Sequence, residues 1–411
     1  MHATGKPLEK PVLVGIKEET KSIRLWAGVG LFIMALSLRP GIVSIGPLVH
    51  AIQTEFGMKH AEAALLTAIP DLCMGFFAIF VPAIGRRFGG GRVVLLSLLL
   101  LGVALILRAL AESPASLLFA TLLVGIGVAI SGPLIGGWIK SHFSGEAAFF
   151  MGIYAAGLGV GATLAAVGSE SIAQAGGGWR VGAGVWALVC VLAIVSWRKL
   201  TLAYPSNPHV ARADSSARHS PLRSARAWLI ALYFGTSQFI CYACFAWVGE
   251  SSREMQINSL SSGVNLGLFA AMIALSSFLS GVFTSNSPDR RVWLAVSAVL
   301  SAGGAVVLWL SPGTLGALPV LAIALGQGTC FALAMTLPLD NTTSHYDASQ
   351  WTAFMLFIGY LIAAMGPFVF GFLRDLTGSF QASYGSLVVA STALLGLTPL
   401  LKPRESPVLR G

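Results

Sequence analysis

Apolar and polar residues along this 411-residue chain neither alternate in twos nor follow a narrow amphipathic stripe; they fall into long apolar blocks with short polar punctuation. About 20 consecutive apolar residues suffice for a helix to cross the hydrocarbon core. Twelve blocks of that kind run over 24–49, 62–84, 92–111, 116–139, 148–168, 179–197, 227–249, 263–283, 291–311, 317–338, 350–372 and 382–401. They are too long for barrel strands and lack the required alternation. The pattern predicts an all-α integral membrane protein with twelve transmembrane helices in two six-helix, pseudo-symmetric halves. The halves are 24–197 and 227–401, joined by a Pro-, Ser- and Arg-bearing connection at 198–226 and flanked by tails at 1–23 and 402–411.

A shift of about 200 residues carries features of the first half onto the second, which is the signature of an internal repeat. Starts at 24, 92 and 148 meet starts at 227, 291 and 350. "GIG" at 125–127 meets "GQG" at 326–328, and Arg86-Arg87 meets Arg290-Arg291. An even number of spans per half makes the repeats parallel, related by an axis along the membrane normal. With the N-terminus inside, the inner segments hold 20 of the Lys and Arg residues and the outer segments five, counting Lys59, Arg108, Arg180, Arg253 and Arg374 as outer. That asymmetry predicts both termini on the cytoplasmic side.

Composition narrows the class further. Only 10% of residues are charged, against about 25% in soluble domains. The net charge of +9 is scattered between apolar blocks instead of gathered on a polar domain, so it argues for positive inner loops and against nucleic acid. All five cysteines lie inside apolar blocks, which argues against a disulfide framework, and Cys241 and Cys244 have no accompanying ligands for a metal. The polar, basic first 23 residues show no cleavable signal, so the first span is expected to direct insertion. There is no phosphate-binding Gly-Lys loop for driving transport with ATP, and no nucleophile–base pair within the blocks. No cofactor, metal or enzymatic activity is expected.

The chemistry that remains lies at membrane depth. Arg39 falls in the middle of the first block, roughly 22 Å from the inner face by helical rise, and Asp71 lies roughly 13 Å in from the outer face. A cation near the bilayer centre costs at least about 2.5–3.5 kcal/mol, so such residues default to function. Arg39 is expected to attract an anionic or strongly dipolar solute, with Asp71 neutralising it or titrating; the alternative is a buried ion pair joining the first two spans. Pro40-Gly41 loosens the helix there, which a bilayer tolerates only against protein or a watery cavity. Shifting Arg39 by 203 reaches Tyr242, with Gln238 one turn earlier on the same face and Trp247 further out. Tyr and Gln suit a small polar solute and Trp suits stacking; the alternatives are an interhelical hydrogen bond for Gln238 and an interfacial anchor for Trp247. Tyr360 is a further candidate, equally readable as core. Arg86, Arg87 and Arg92 form a short basic inner loop, either simple positive-inside charge or a gate latch that caps helix ends.

The stretches "LRPGIVSIGPL", "AALLTAIPDLCMGFFAIFVPAIGRRFG", "YFGTSQFICYACFAWV" and "FMLFIGYLIAAMGPFVFGFLRD" resemble the cyanate-transporter branch of the major facilitator superfamily, which also holds nitroimidazole transporters. The resemblance covers roughly 24 to 380. It implies that Arg39 is the arginine of the branch's Arg-Pro motif and Trp247 the tryptophan of its Ala-Trp motif. The chain departs from the pattern at Gly85, where the superfamily loop carries an acid, at Asp71, where relatives look apolar, and at Gly132 and Gly136, where they show Asn and Pro. The expected function is secondary-active, alternating-access transport of a small anion or small polar or nitro-aromatic solute, with protons as a further partner. The expected setting is a bacterial-type inner membrane, with the protein embedded in the lipid bilayer as a monomer. The alternatives are a proton-coupled multidrug exporter and, outside the class, a channel.

Overall fold

The computed structural model describes residues 25–143, 146–204, 221–284, 289–342 and 345–402. The tail 1–23, most of the 198–226 connection and all but Lys402 of the last tail lie outside the described residues. Among the described residues the fold is all-α, and ten helical stretches are long and apolar enough to cross a membrane. In chain order the main helices are α1 (Leu25–Phe56, interrupted at Arg39), α2 (His60–Phe88), α3 (Gly90–Ala109), α4 (Pro114–His142), α5 (Ala147–Ile172) and α6 (Ala187–Ala203). They continue as α7 (Ala225–Glu254), α8 (Ser262–Phe283), α9 (Arg291–Leu310), α10 (Leu318–Ala334), α11 (His345–Thr377) and α12 (Phe380–Leu397).

Two expected spans take a different form. The block expected at 317–338 is a 17-residue helix, α10, that stops at Ala334; a separate turn at Leu337–Asp340 follows, with Pro338 in its first positions. A 36-residue apolar stretch, Phe149–Gly184, contains the end of one expected span and the start of the next. It is folded back on itself: Gly176 (φ +107°) and Gly178 (φ +62°) adopt left-handed backbone that costs glycine nothing sterically. Across this reversal Trp186 Nε1 donates to Ser169 Oγ at 2.8 Å. The short helix Gly178–Gly184 then leads into α6, also 17 residues.

Large apolar side chains point outward along the helices; Phe278 and Val389 are each 70% exposed. A soluble protein does not present such a surface, whereas lipid accepts it. Inside, glycines bring helices to backbone contact. A Cβ on Gly125 would strike α2 at Pro70 and one on Gly127 would strike α3 at Ser97; on Gly326 it would strike α9 at Ser297, and on Gly328 α8 at Ile273. Each pair therefore wedges the fourth helix of its set between the second and third, with the order of the two contacts exchanged.

The loops gather at two ends. At one, which we call the far end, lie the connections near 57–59, 110–113, 173–178, 255–261 and 378–379. Three polar contacts there join α1–α6 to α7–α12. Asp375, at the end of α11, accepts the backbone N–H of His60 (3.1 Å) and of Ala61 (2.8 Å) at the start of α2, and its Oδ1 lies 2.7 Å from His60 Nδ1. Glu170, at the end of α5, accepts Ser261 Oγ at 2.7 Å and the backbone N–H of Gly263 at the start of α8. Between them Arg253 Nη2 donates to His50 Nδ1 at 2.9 Å, and His50 lies 3.3 Å from Glu250.

The first two contacts are copies of each other under the repeat. Glu170 plus 205 is Asp375, and His60 plus 203 is Gly263. Both put a carboxylate on the unsatisfied N–H groups of a helix start in the opposite set, where the helix dipole favours negative charge. Both also need a small residue for the close approach. A Cβ on Gly263 would lie 2.6 Å from Ala166 O, and one on Gly371 would lie 2.8 Å from His60 O.

Candidate functional site

The chain of α1 is helical over 25–38, bends at Arg39, makes one turn at Pro40–Val43, tightens to a 3-10 turn at Gly46–Leu48 and resumes at Val49–Phe56. Proline explains the bend: Pro40 has no N–H to continue the ladder and its ring crowds the preceding residue. Arg39 O instead accepts Ile42 N and Val43 N, both at 3.0 Å.

Arg39 itself is half-buried and is surrounded by groups from both sets of helices. Tyr242 and Cys241 of α7, Tyr360 of α11, Asp71 of α2 and Tyr154 of α5 all lie close enough to interact electrostatically with its guanidinium. The Tyr242 and Tyr360 rings meet edge to face, centroids 6.1 Å apart at 68°. Asp71 is completely buried, and neither of its oxygens has a hydrogen-bond partner. Among the described residues no ion pair within 4.0 Å joins Asp71 to Arg39. The two opposite charges are close enough to feel each other and are not locked together. A cation flanked by two phenols, with an unpaired carboxyl group nearby, can hold a small anion or a polar ring through hydrogen bonds and charge. It can also exchange a proton at the carboxyl group.

Of the sequence candidates, the structure brings Arg39, Tyr242, Tyr360 and Asp71 together. Gln238 lies one turn from Tyr242 on α7, buried, with its Nε2 unpartnered. Trp247 does not join them. It is fully buried toward the far end, donates Nε1 to Pro367 O at 2.9 Å and packs its ring on His60 and Phe380, with centroids 5.4 and 5.8 Å away. Arg86, Arg87 and Arg92 are exposed at the opposite end, where the first two occupy the last turn of α2.

Sequence reasoning missed two residues. Tyr154 stands beside the cluster, its hydroxyl 3.8 Å from where a Cβ on Gly132 would sit. The signal that finds it is the repeat: Tyr154 plus 206 is Tyr360, as Arg39 plus 203 is Tyr242. Arg108 was counted with the outer loops, yet it is completely buried against α1. A second cation therefore lies inside the membrane part, and Arg39 is not alone there.

The chain matches the family model described as Major Facilitator Superfamily over residues 25–367. It is 30% identical over 383 residues to the cyanate transport protein CynX of Escherichia coli (strain K12), covering 92% of this chain and 98% of that protein. It is 27% identical over 374 residues to the 2-nitroimidazole transporter of the same organism, covering 90% and 93%. In fold it is similar to a bacterial homologue of the human lysosomal transporter Spinster, crystallised inward-facing and occupied. The TM-score is 0.74 at 18% identity, over 93% of this chain and 99% of that one. The chain belongs to the Major Facilitator Superfamily. It is a multi-pass membrane protein and a secondary transporter that moves a small solute by alternating access, not an enzyme.

Proposed function

We propose that this member of the superfamily works as two six-span halves, 24–197 and 227–401, around the Arg39 cluster, and that its solute is a small anion or a small polar or nitro-aromatic molecule. In this reading α6 and α10 complete the two halves despite their shorter helices, the near end and both termini face the cytoplasm, and the protein acts as a monomer in a bacterial-type inner membrane. The observation that carries the substrate class is the unneutralised Arg39 guanidinium facing Tyr242 and Tyr360. Likeness to a cyanate transporter and a 2-nitroimidazole transporter supports it. A multidrug exporter that takes bulky cations fits a cationic centre poorly.

Each group has a defined task. Arg39 supplies charge and a planar fork of donors. Tyr242 and Tyr360 close on the solute from the second half, and Gln238 offers the unpartnered amide that a polar solute satisfies. Asp71 carries the proton coupled to transport or balances Arg39 when the site is empty. Trp247, remote from the cluster, serves the packing of the far end. The far end, closed by the Asp375 and Glu170 contacts, is the outer side, and Arg86, Arg87 and Arg92 hold the inner loop. The deciding experiment is binding of cyanate, nitrite and 2-nitroimidazole to purified protein and to Arg39→Ala. Loss of binding in a variant that still folds is the expected result. Native binding by Arg39→Ala refutes the reading.

A further inference from the structure

Arg108 lies near the far end of α3 and is completely buried. Its Nη1 donates to Gly41 O at 2.8 Å and its Nη2 to Thr121 Oγ1 at 3.3 Å. Thr121 spends its own proton on Leu117 O at 2.8 Å, so its oxygen is free to accept. The remaining nitrogen, Nε, has no partner, and among the described residues no carboxylate pairs with the guanidinium within 4.0 Å. A buried cation with only neutral partners is unfavourable, and a leucine or methionine fills the same space without that penalty. Packing therefore does not account for an arginine here.

What the arginine reaches does account for it. The helical turn that begins at Pro40 stops at Val43, and Gly41 O receives no cap or turn hydrogen bond from the backbone beyond it. A carbonyl left open in hydrocarbon needs a donor. Gly41 also lets α3 and α4 press against the back of the break, since a Cβ there would lie 2.8 Å from Val124 and 3.2 Å from Leu101. The same short segment presents Arg39, two residues earlier, to Tyr242 on the opposite helix set. Thus one arginine on α3 holds the back of the break, and the break aims a second arginine at the centre of the protein.

We infer that Arg108 is a positioning residue for Arg39. It fixes the broken segment of α1 through the Gly41 carbonyl and thereby sets where the Arg39 guanidinium meets the solute. This rests on the reading that Arg39 binds the solute. The contact joins helices of the same set, so it persists whichever end of the transporter is open.

The test compares native protein with Arg108→Met, which fills the space without donors, and Arg108→Lys, which still reaches a single carbonyl. Uptake of cyanate and of 2-nitroimidazole into proteoliposomes gives KM and maximal rate, and hydrogen exchange follows the peptide covering 39–46. The expected result for Arg108→Met is a KM raised about tenfold, a maximal rate per folded transporter within about threefold of native, and exchange about tenfold faster over 39–46. Exchange over 291–310 should stay native, and Arg108→Lys should recover most of both effects. Faster exchange spread evenly over the protein, or a loosened 39–46 with unchanged KM, makes Arg108 merely structural and overturns the inference. If the native protein transports neither probe, the substrate reading has failed. The exchange data then bear on the segment alone: loosening confined to 39–46 and reversed by Arg108→Lys upholds Arg108 as the group that fixes the broken segment of α1, and native exchange in Arg108→Met overturns the inference.

Discussion

Replacing Glu170 with Gln removes one carboxylate from the start of α8 while keeping its length and its ability to accept a hydrogen bond. In the structure Glu170 is half-buried and takes the hydroxyl of Ser261 and the backbone N–H of Gly263. An anion at a helix start contributes about 0.3–1 kcal/mol when exposed and up to about 2 kcal/mol when partly buried. Hydrogen bonds to charged groups reach about 1.5–3 kcal/mol. Half-burial places the loss at about 1–2 kcal/mol. In the proposed reading the contact breaks when the far end opens, so the whole loss moves the equilibrium toward opening there, by roughly five- to thirtyfold. A suitable reporter is Gly132→Cys in a background with the five native cysteines replaced, since among the described residues only the Tyr154 hydroxyl of the central cluster comes within 4 Å of its Cβ. The initial rate of labelling by an impermeant maleimide added at the far side should rise by that factor while the open form remains the minor one. Asp375→Asn, the copy of this change under the repeat, should act in the same direction. Labelling that is unchanged or slower in both variants would show that these carboxylates do not hold the far end shut.

Other outcomes follow from the centre of the protein. Asp71→Asn should abolish the pH dependence of uptake while leaving substrate exchange if Asp71 carries the coupled proton. If it balances Arg39 instead, binding itself is lost, and adding Arg39→Gln restores thermal stability; native uptake with a native pH profile removes Asp71 from the mechanism. Trp247→Phe should leave substrate KM unchanged, because the ring packs on His60 and Phe380, yet lower stability by about 1 kcal/mol through the lost bond to Pro367 O. A raised KM without destabilisation would return Trp247 to the binding site.

Much of the fold was legible because a bilayer restricts the choices so severely: only helices and closed barrels satisfy their backbone groups there. Block length alone therefore placed most of the helices. Boundaries were less accessible where a reversal is made without polar residues. The stretch from Phe149 to Gly184 stays apolar through its turn, which depends on Gly176 and Gly178. Hydropathy does not register left-handed backbone. Arg108 was misplaced for a related reason. Counting residues puts it at a helix end, and only the fold shows that this end is covered by the broken segment of α1.

The site was legible to the extent that the repeat could be followed. Shifting Arg39 by 203 found Tyr242, and a shift of 206 applied to Tyr360 would have found Tyr154. The far-end carboxylates obey it too. Those pairs mark what any two-halved carrier needs: matching surfaces that meet and part at one end, and a central site reached from both halves. Asp71 breaks the rule, because 203 residues on stands Ala274, and Arg39 breaks it chemically, since its counterpart is a neutral phenol. Both charges of the centre thus belong to the first half alone. In the proposed reading, a solute bound between the halves meets fixed charge on one side and hydrogen-bonding rings on the other. On that reading, rocking of one half against the other would change how closely those rings approach Arg39 while leaving the Arg39–Asp71 relation, internal to one half, largely as it is. That is the arrangement a transporter needs if affinity is to change with conformation while the charge that selects the solute stays constant.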